Sequence, residues 1–144
     1  TVHAWDVSPE ALEVARRNAI RNGVTVHFQQ VDTLQESWPS LNIDVLVSNP
    51  PYITEKERTD MERNVLDWEP ELALFVPDND PLLFYRHIAR IGLDLLSPSG
   101  TLYYEINRAY GAETVSLLQQ LGYHSVELRK DLSGNDRMVK AVKP

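Results

Sequence analysis

The stretch IDVLVSNPPYIT, Ile43 to Thr54, restricts this chain more than any other. Ile43, Val45, Leu46 and Val47 form a nearly continuous apolar run. Successive side chains of a strand point to opposite faces, so this run is apolar on both. Such a strand needs cover on both sides, and a parallel sheet flanked by helices supplies it. The run then stops abruptly on Ser48-Asn49-Pro50-Pro51-Tyr52. Proline cannot donate to a strand ladder, so the strand is expected to end there.

The rest of the chain alternates in the way such a sheet requires. VHAWDV (Val2–Val7) reads as a strand, and SPEALEVARRNAIRNG as a helix. Ser8 suits the cap, Pro9 the first helical position and Gly23 the stop. Leu12, Ala15, Ala19 and Ile20 are expected to share the buried face. VTVHFQQV (Val24–Val31) is a second strand, PLLFYRHIARIGLDLL (Pro81–Leu96) a helix, TLYYEI (Thr101–Ile106) a strand and GAETVSLLQQLG (Gly111–Gly122) a helix. YHSVELRK and RMVKAV are two last strands joined by the turn-rich DLSGND. The expected fold is α/β: a Rossmann-like open, mostly parallel sheet with helices on both faces and a C-terminal antiparallel hairpin. The connection from Asn49 to Asp80 is the one long irregular segment, and compact domains rarely carry such a length without a use for it. It lies at the C-terminal edge of a strand, where open α/β sheets bind ligands.

Composition narrows the function classes. The chain of 144 residues fits one domain and has no cysteine, which removes disulfides, thiol nucleophiles and thiolate metal sites. The four histidines show no spacing for metal binding, and no metal is expected. Fourteen Lys and Arg stand against 21 Asp and Glu, a net charge of −7. Binding driven by phosphates favours a basic excess, so a protein or small molecule is the better substrate. There is no apolar run long enough for a membrane span and no leader pattern at Thr1, so the expected location is cytoplasmic.

The Asn49-Pro50-Pro51-Tyr52 corner offers a side-chain amide, a main-chain carbonyl and an aromatic plate. Pro51 restricts Pro50, and each proline fixes its own φ, so the Pro50 carbonyl is held in direction. Two acceptors beside a flat ring suit a planar, conjugated NH2 group. Holding both its N–H groups favours the tetrahedral nitrogen that develops when it attacks an electrophile. Asp6 ends the first visible strand just before a helix, where nucleotide-binding α/β folds place an acidic residue for the ribose hydroxyls. Asp32 follows the second strand and suits an adenine amino group equally well as a strand end. Glu69-Pro70 and Glu105 are further candidates on the same edge; Glu105 reads equally as an ion-pair partner.

AWDVSPEALEVARRNA, DVLVSNPPYI, WEPELAL, FYRHI and KDLSGNDRMVKAV resemble, in order, segments of the release factor glutamine methyltransferase family, PrmC or HemK, within the class I S-adenosylmethionine-dependent methyltransferases. The resemblance runs from Thr1 to the C-terminus. It implies methyl transfer from S-adenosyl-L-methionine to a glutamine side-chain amide in peptide chain release factors, an NH2 of the kind the corner suits. Carried over, Asn49 and the Pro50 carbonyl hold the amide protons, Pro51 and Tyr52 complete the substrate site, Asp6 takes the ribose hydroxyls, and Asp32, Thr33 and Asn49 line the cofactor pocket.

The family also places an acidic, glycine-rich loop after its first strand. The six glycines here stand too far apart for one. Residues 1–144 are therefore expected to form a single methyltransferase catalytic domain that is incomplete at its N-terminus, with the first strand missing and no activity alone. Two other readings stay open: an amino methylase of DNA or ribosomal RNA that shares the corner, and a non-catalytic binding module. Nucleic acid is not expected as the direct substrate, and no membrane partner is expected.

Overall fold

The computed structural model describes residues 1–35, 37–61, 66–67 and 70–144, with only the main chain of Asp60. The chain divides into two compact units, Thr1–Pro39 and Ser40–Pro144, each treated in its own frame.

The first unit is a strand–helix–strand crossover. β1 (His3–Asp6) pairs in parallel with β2 (His27–Gln30), in the register His3↔His27 to Asp6↔Gln30. Helix α1 (Pro9–Arg21) connects them. The Ser8 hydroxyl accepts from the Ala11 amide at 3.1 Å and Pro9 opens the helix, so both start signals act as expected. Gly23, at φ 65°, ends it. The buried stripe is centred on Leu12, 3% exposed, flanked by half-buried Ala15 and Ala19. Ile20 does not join that stripe and is 80% exposed. At 100° per residue it sits beyond the edge of a stripe this narrow.

The second unit is built on a sheet of four strands in the order β3-β6-β8-β7. β3 is Ile43–Ser48, β6 is Leu96–Glu105, β7 is His124–Lys130 and β8 is Asp136–Val142. β3 and β6 run parallel, and β6-β8 and β8-β7 antiparallel. The hairpin turn is organised by Asp131: its Oδ1 accepts from the Ser133 and Asn135 amides at 2.9 and 3.0 Å, and its Oδ2 from Arg137 Nε at 3.3 Å. Gly100 sets the entry to β6. A Cβ there would lie 2.8 Å from the Ser97 carbonyl oxygen and 3.2 Å from that of Asp44. Glycine lets those chains close up.

Helices α2 (Leu83–Leu95) and α3 (Gly111–Gln120) cover one face of this sheet. Tyr85, Ile88 and Ala89 of α2 and Leu118 of α3 pack with Leu102, Tyr104, Val139 and Ala141. Burying a side chain such as Leu102 contributes about 1.5–3 kcal/mol. Leu46 of β3 packs against this core. The alternate residues do not: Val45 is 53% and Val47 70% exposed, with Tyr103 and Met138 beside them at 38% and 42%. The β3 run is thus apolar on both faces but covered on one by the described residues of its own unit. Among the described residues, β1 pairs with β2 alone and β3 with β6 alone, so each is an edge strand.

The connection after β3 is more ordered than its sequence suggests. β4 (Ile53–Thr54) pairs in parallel with β5 (Phe75–Val76), and 3-10 turns occupy Glu55–Asp60 and Glu71–Ala73. Arg58 pairs with Glu71, and its guanidinium lies 4.4 Å from the Phe75 ring centroid. These contacts close the chain back on itself right after the corner.

The two faces of the sheet make a contrast that can be measured. Leu102→Ala is expected to cost about 2–5 kcal/mol, the range for a buried leucine. Val47→Ala in this chain is expected to stay within about 0.5 kcal/mol, as exposed positions do. Urea unfolding of both variants checks this; equal losses would show that the bare face is covered.

Candidate active site

The parallel β3-β6 pair builds the site edge in the second unit. Ser48 lies opposite Tyr104, so the residues that follow each strand, Asn49–Tyr52 and Glu105–Asn107, leave the sheet side by side. Asn49 is exposed and Pro50 is buried, while Pro51 and Tyr52 are half-buried. Among the described residues, neither the Asn49 amide nor the Pro50 carbonyl has a hydrogen-bond partner. The two polar groups the sequence singled out are thus left unengaged among the described residues, with Asn49 exposed and Pro50 buried.

Tyr52 is oriented from both ends. Its ring packs against the core cluster, and its hydroxyl donates to Glu105 Oε1 at 2.8 Å. Burial, then the Glu105 carboxylate, push the Tyr52 phenol above its ordinary value, against the nearby Arg137. Tyr52 is accordingly neutral at physiological pH and donates. Glu105, one of the candidates from sequence, is the partner that aims this ring. Glu69 lies outside the described residues; Pro70 is exposed and starts the turn Glu71–Ala73.

Two residues that sequence reasoning passed over hold the corner from behind. Asn107 is 5% exposed. Its Nδ2 donates to the Tyr52 carbonyl at 3.0 Å and to Glu57 Oε2 and Oε1 at 3.0 and 3.2 Å. Its Oδ1 accepts from the Ala109 amide at 2.9 Å. Glu57 Oε2 in turn accepts from the Thr54 amide at 2.9 Å and the Thr54 hydroxyl at 2.6 Å. Burial works against ionised Glu57, but hydrogen bonds from Thr54 and Asn107 outweigh it and hold the carboxyl below its ordinary value. Thr54-x-x-Glu57 is the spacing of a capping box, a signal that was available for Glu57. Asn107 shows locally only as the cap of the turn that follows it; Tyr52 and Glu57, the partners that tie it to the corner, lie 50 or more residues away.

In the first unit, Asp6 ends β1 and is exposed. Its Oδ1 accepts from the Ser8 amide at 2.8 Å, which fixes the carboxylate at the helix entry. The β1-β2 register brings the end of β2 alongside, with the Val31 amide donating to the Asp6 carbonyl at 3.0 Å. Asp32 and Thr33, both half-buried, follow directly. Asp32 accepts from the Leu34 amide at 2.9 Å and from Gln35 Nε2 at 3.0 Å. Asp6 and Asp32 thus stand at the C-terminal edge of two parallel strands, where open α/β sheets bind ligands. The residues present fit a nucleoside-bearing cofactor.

Comparison with known proteins relates the chain to methyltransferases. Residues 1–67 match the methyltransferase small domain family. A methyltransferase from Pyrococcus furiosus superposes with a TM-score of 0.70 at 20% identity, over 99% of this chain and 62% of that one. An S-adenosylmethionine-dependent O-methyltransferase from Thermotoga maritima gives 0.67 at 15%, over 99% and 49%. The fold is that of the class I S-adenosylmethionine-dependent methyltransferases. In sequence, the chain is 50% identical over 141 residues to a release factor glutamine methyltransferase of Bacteroides thetaiotaomicron, and 46% over 140 residues to one of Flavobacterium psychrophilum. That likeness to the two release factor glutamine methyltransferases runs along 97% of the chain's length. The chain spans about half the length of these relatives, 51% and 49%. Among the described residues, no helix is long and apolar enough to cross a membrane.

Glu57 carries a pH signature. Its folded pKa is depressed, so its stabilisation is present above the unfolded glutamate value of about 4.3 and is lost as pH falls through the folded value. Glu57→Gln is expected to unfold with a shallower dependence on pH below about 4.3. Urea midpoints across the acid range measure it, and slopes identical to the parent sequence would contradict a hydrogen-bonded, ionised Glu57.

Proposed function

We propose that this chain is part of the catalytic domain of an S-adenosyl-L-methionine-dependent methyltransferase that modifies the side-chain amide of a glutamine in a peptide chain release factor. The observation that carries the reading is the corner after β3, where an exposed Asn49 amide and an unengaged Pro50 carbonyl stand beside an oriented Tyr52. The relatives' names point to the same substrate.

In this reading the Asn49 carbonyl oxygen and the Pro50 carbonyl accept the two N–H groups of the glutamine amide. The Tyr52 ring packs on the amide plane, with Pro51 completing the wall. The amide nitrogen is a poor nucleophile because its lone pair is delocalised. Accepting from both N–H groups favours the tetrahedral nitrogen, whose developing charge the two acceptors meet. No base is needed beforehand, since the nitrogen becomes acidic only after it has reacted. Asp6 takes the ribose hydroxyls of the cofactor, and Asp32 with Thr33 borders its adenine. The cofactor, when bound, supplies the electrophilic methyl group. The acidic total of the chain and its relatives' names favour a protein substrate over nucleic acid.

The roles of the corner and of Asp6 are separable by mutation in the intact protein. Asn49→Ala is expected to lower kcat on a release factor by about a hundredfold to a thousandfold, the cost of one lost partner at a reacting centre. The affinity for S-adenosylhomocysteine is expected to fall far less, because the contact to the reacting nitrogen counts most in the transition state. Asp6→Ala is expected to do the reverse, weakening that affinity by the roughly 1.5–3 kcal/mol of a charged hydrogen bond. Steady-state kinetics and calorimetric titration read both, and near-normal turnover by Asn49→Ala would remove the corner from the chemistry.

A further inference from the structure

We infer that Asn107 and Glu57 are positioning residues for the corner, aiming the Asn49-Pro50-Pro51-Tyr52 acceptors through the Tyr52 main-chain carbonyl. The inference rests on the methyl-transfer reading for its kinetic consequence, but not for its geometry.

Asn107 is held more rigidly than a strand-end asparagine needs to be. Its main-chain amide donates to the Tyr85 hydroxyl at 3.1 Å, and Tyr85 is 1% exposed in the core. Its side-chain Oδ1 is committed to the Ala109 amide, which leaves the NH2 end facing Tyr52 and Glu57. That end can only donate, and the groups it meets, a carbonyl and a carboxylate, can only accept. The orientation of the amide is therefore decided by its surroundings. The clamp touches Tyr52 at its carbonyl and Thr54 through Glu57, so the chain on the C-terminal side of the two prolines is pinned. The proline rings are stiff, and a fixed Tyr52 carbonyl transmits to the Pro50 carbonyl two residues back. Glu105 fixes the ring of the same tyrosine from the neighbouring strand end. Buried polar networks with every member satisfied specify one arrangement.

The test uses the intact protein, a release factor and S-adenosylhomocysteine. Asn107→Ala removes the donor. Asn107→Asp faces a carboxylate towards Glu57 and towards the Tyr52 carbonyl. The pair Asn107→Asp with Glu57→Gln restores a donor and an acceptor between positions 57 and 107, because the new amide donates to Asp and its oxygen still accepts from Thr54. It leaves the Tyr52 carbonyl facing an acceptor. Expected for Asn107→Ala is a fall in kcat of up to about a hundredfold, the scale of a reacting group displaced by about 1 Å. KM and the S-adenosylhomocysteine affinity are expected to stay within about twofold, since uniform binding is untouched.

The paired variant is expected to recover the thermal midpoint but not kcat. Recovery of both would reduce the clamp to a structural role and overturn the inference, as would an unchanged kcat in Asn107→Ala. Should Asn107→Ala fail to fold, the paired variant carries the test. Hydrogen exchange keeps the inference separate from the reading it rests on: the Thr54 amide is expected to be protected in the parent sequence and to exchange faster in Asn107→Ala. Lost protection with no glutamine methylation by the parent would retain the clamp and sink the methyl-transfer reading. Equal protection would sink the clamp itself.

Discussion

The parallel pairing of β3 with β6 is the constraint on which the candidate site depends. Because Ser48 sits opposite Tyr104, the two chains leave the sheet in register, and everything that follows is a consequence of that adjacency. Tyr52 finds Glu105, and its carbonyl finds Asn107, only because both strands end at the same height. The register is held at the other end by small features. Gly100 admits the close approach of Ser97 and Asp44, and the Ser97 hydroxyl donates to the Ile43 carbonyl at 2.8 Å. Shifting a strand by one residue would turn every side chain to the other face and separate these pairs.

The corner combines unengaged polar groups in front with a satisfied network behind. In front, Asn49 is exposed and the Pro50 carbonyl is unengaged. Behind, Thr54, Glu57 and Asn107 form a satisfied polar network next to the core tyrosine Tyr85. A group that has to meet developing charge works best when its own position is already determined. Buried polar atoms are costly unless paired, so a network of this kind is stable in one arrangement and tolerates few others.

Much of the fold was legible in the sequence, for physical reasons. The α/β alternation, the Ser8-Pro9 helix start and the C-terminal hairpin are all recorded in local patterns, and the structure places them where those patterns fall. The corner was legible because Asn-Pro-Pro-Tyr after an apolar run breaks the strand in a chemically specific way. What escaped notice was non-local or covered on one side only. Val45 and Val47 look like core positions by hydropathy, yet no described residue of their unit covers them. Ile20 fits the helical period but lies outside a stripe narrowed to Leu12 and two alanines. The Asn49–Asp80 segment read as irregular because β4 and β5 are only two residues each, too short to show a period. Asn107 was invisible because nothing near it in sequence announces partners on the far side of a helix and a strand.

The central claim is that the corner after β3 grips a glutamine amide while methyl transfer occurs. Tandem mass spectrometry of a release factor, incubated with the intact protein and S-adenosyl-L-methionine, tests it most directly. The account predicts one added methyl group, located on the side-chain nitrogen of a single glutamine. A methyl group found on another residue type, or an unmodified release factor beside methylated nucleic acid in the same incubation, would contradict it.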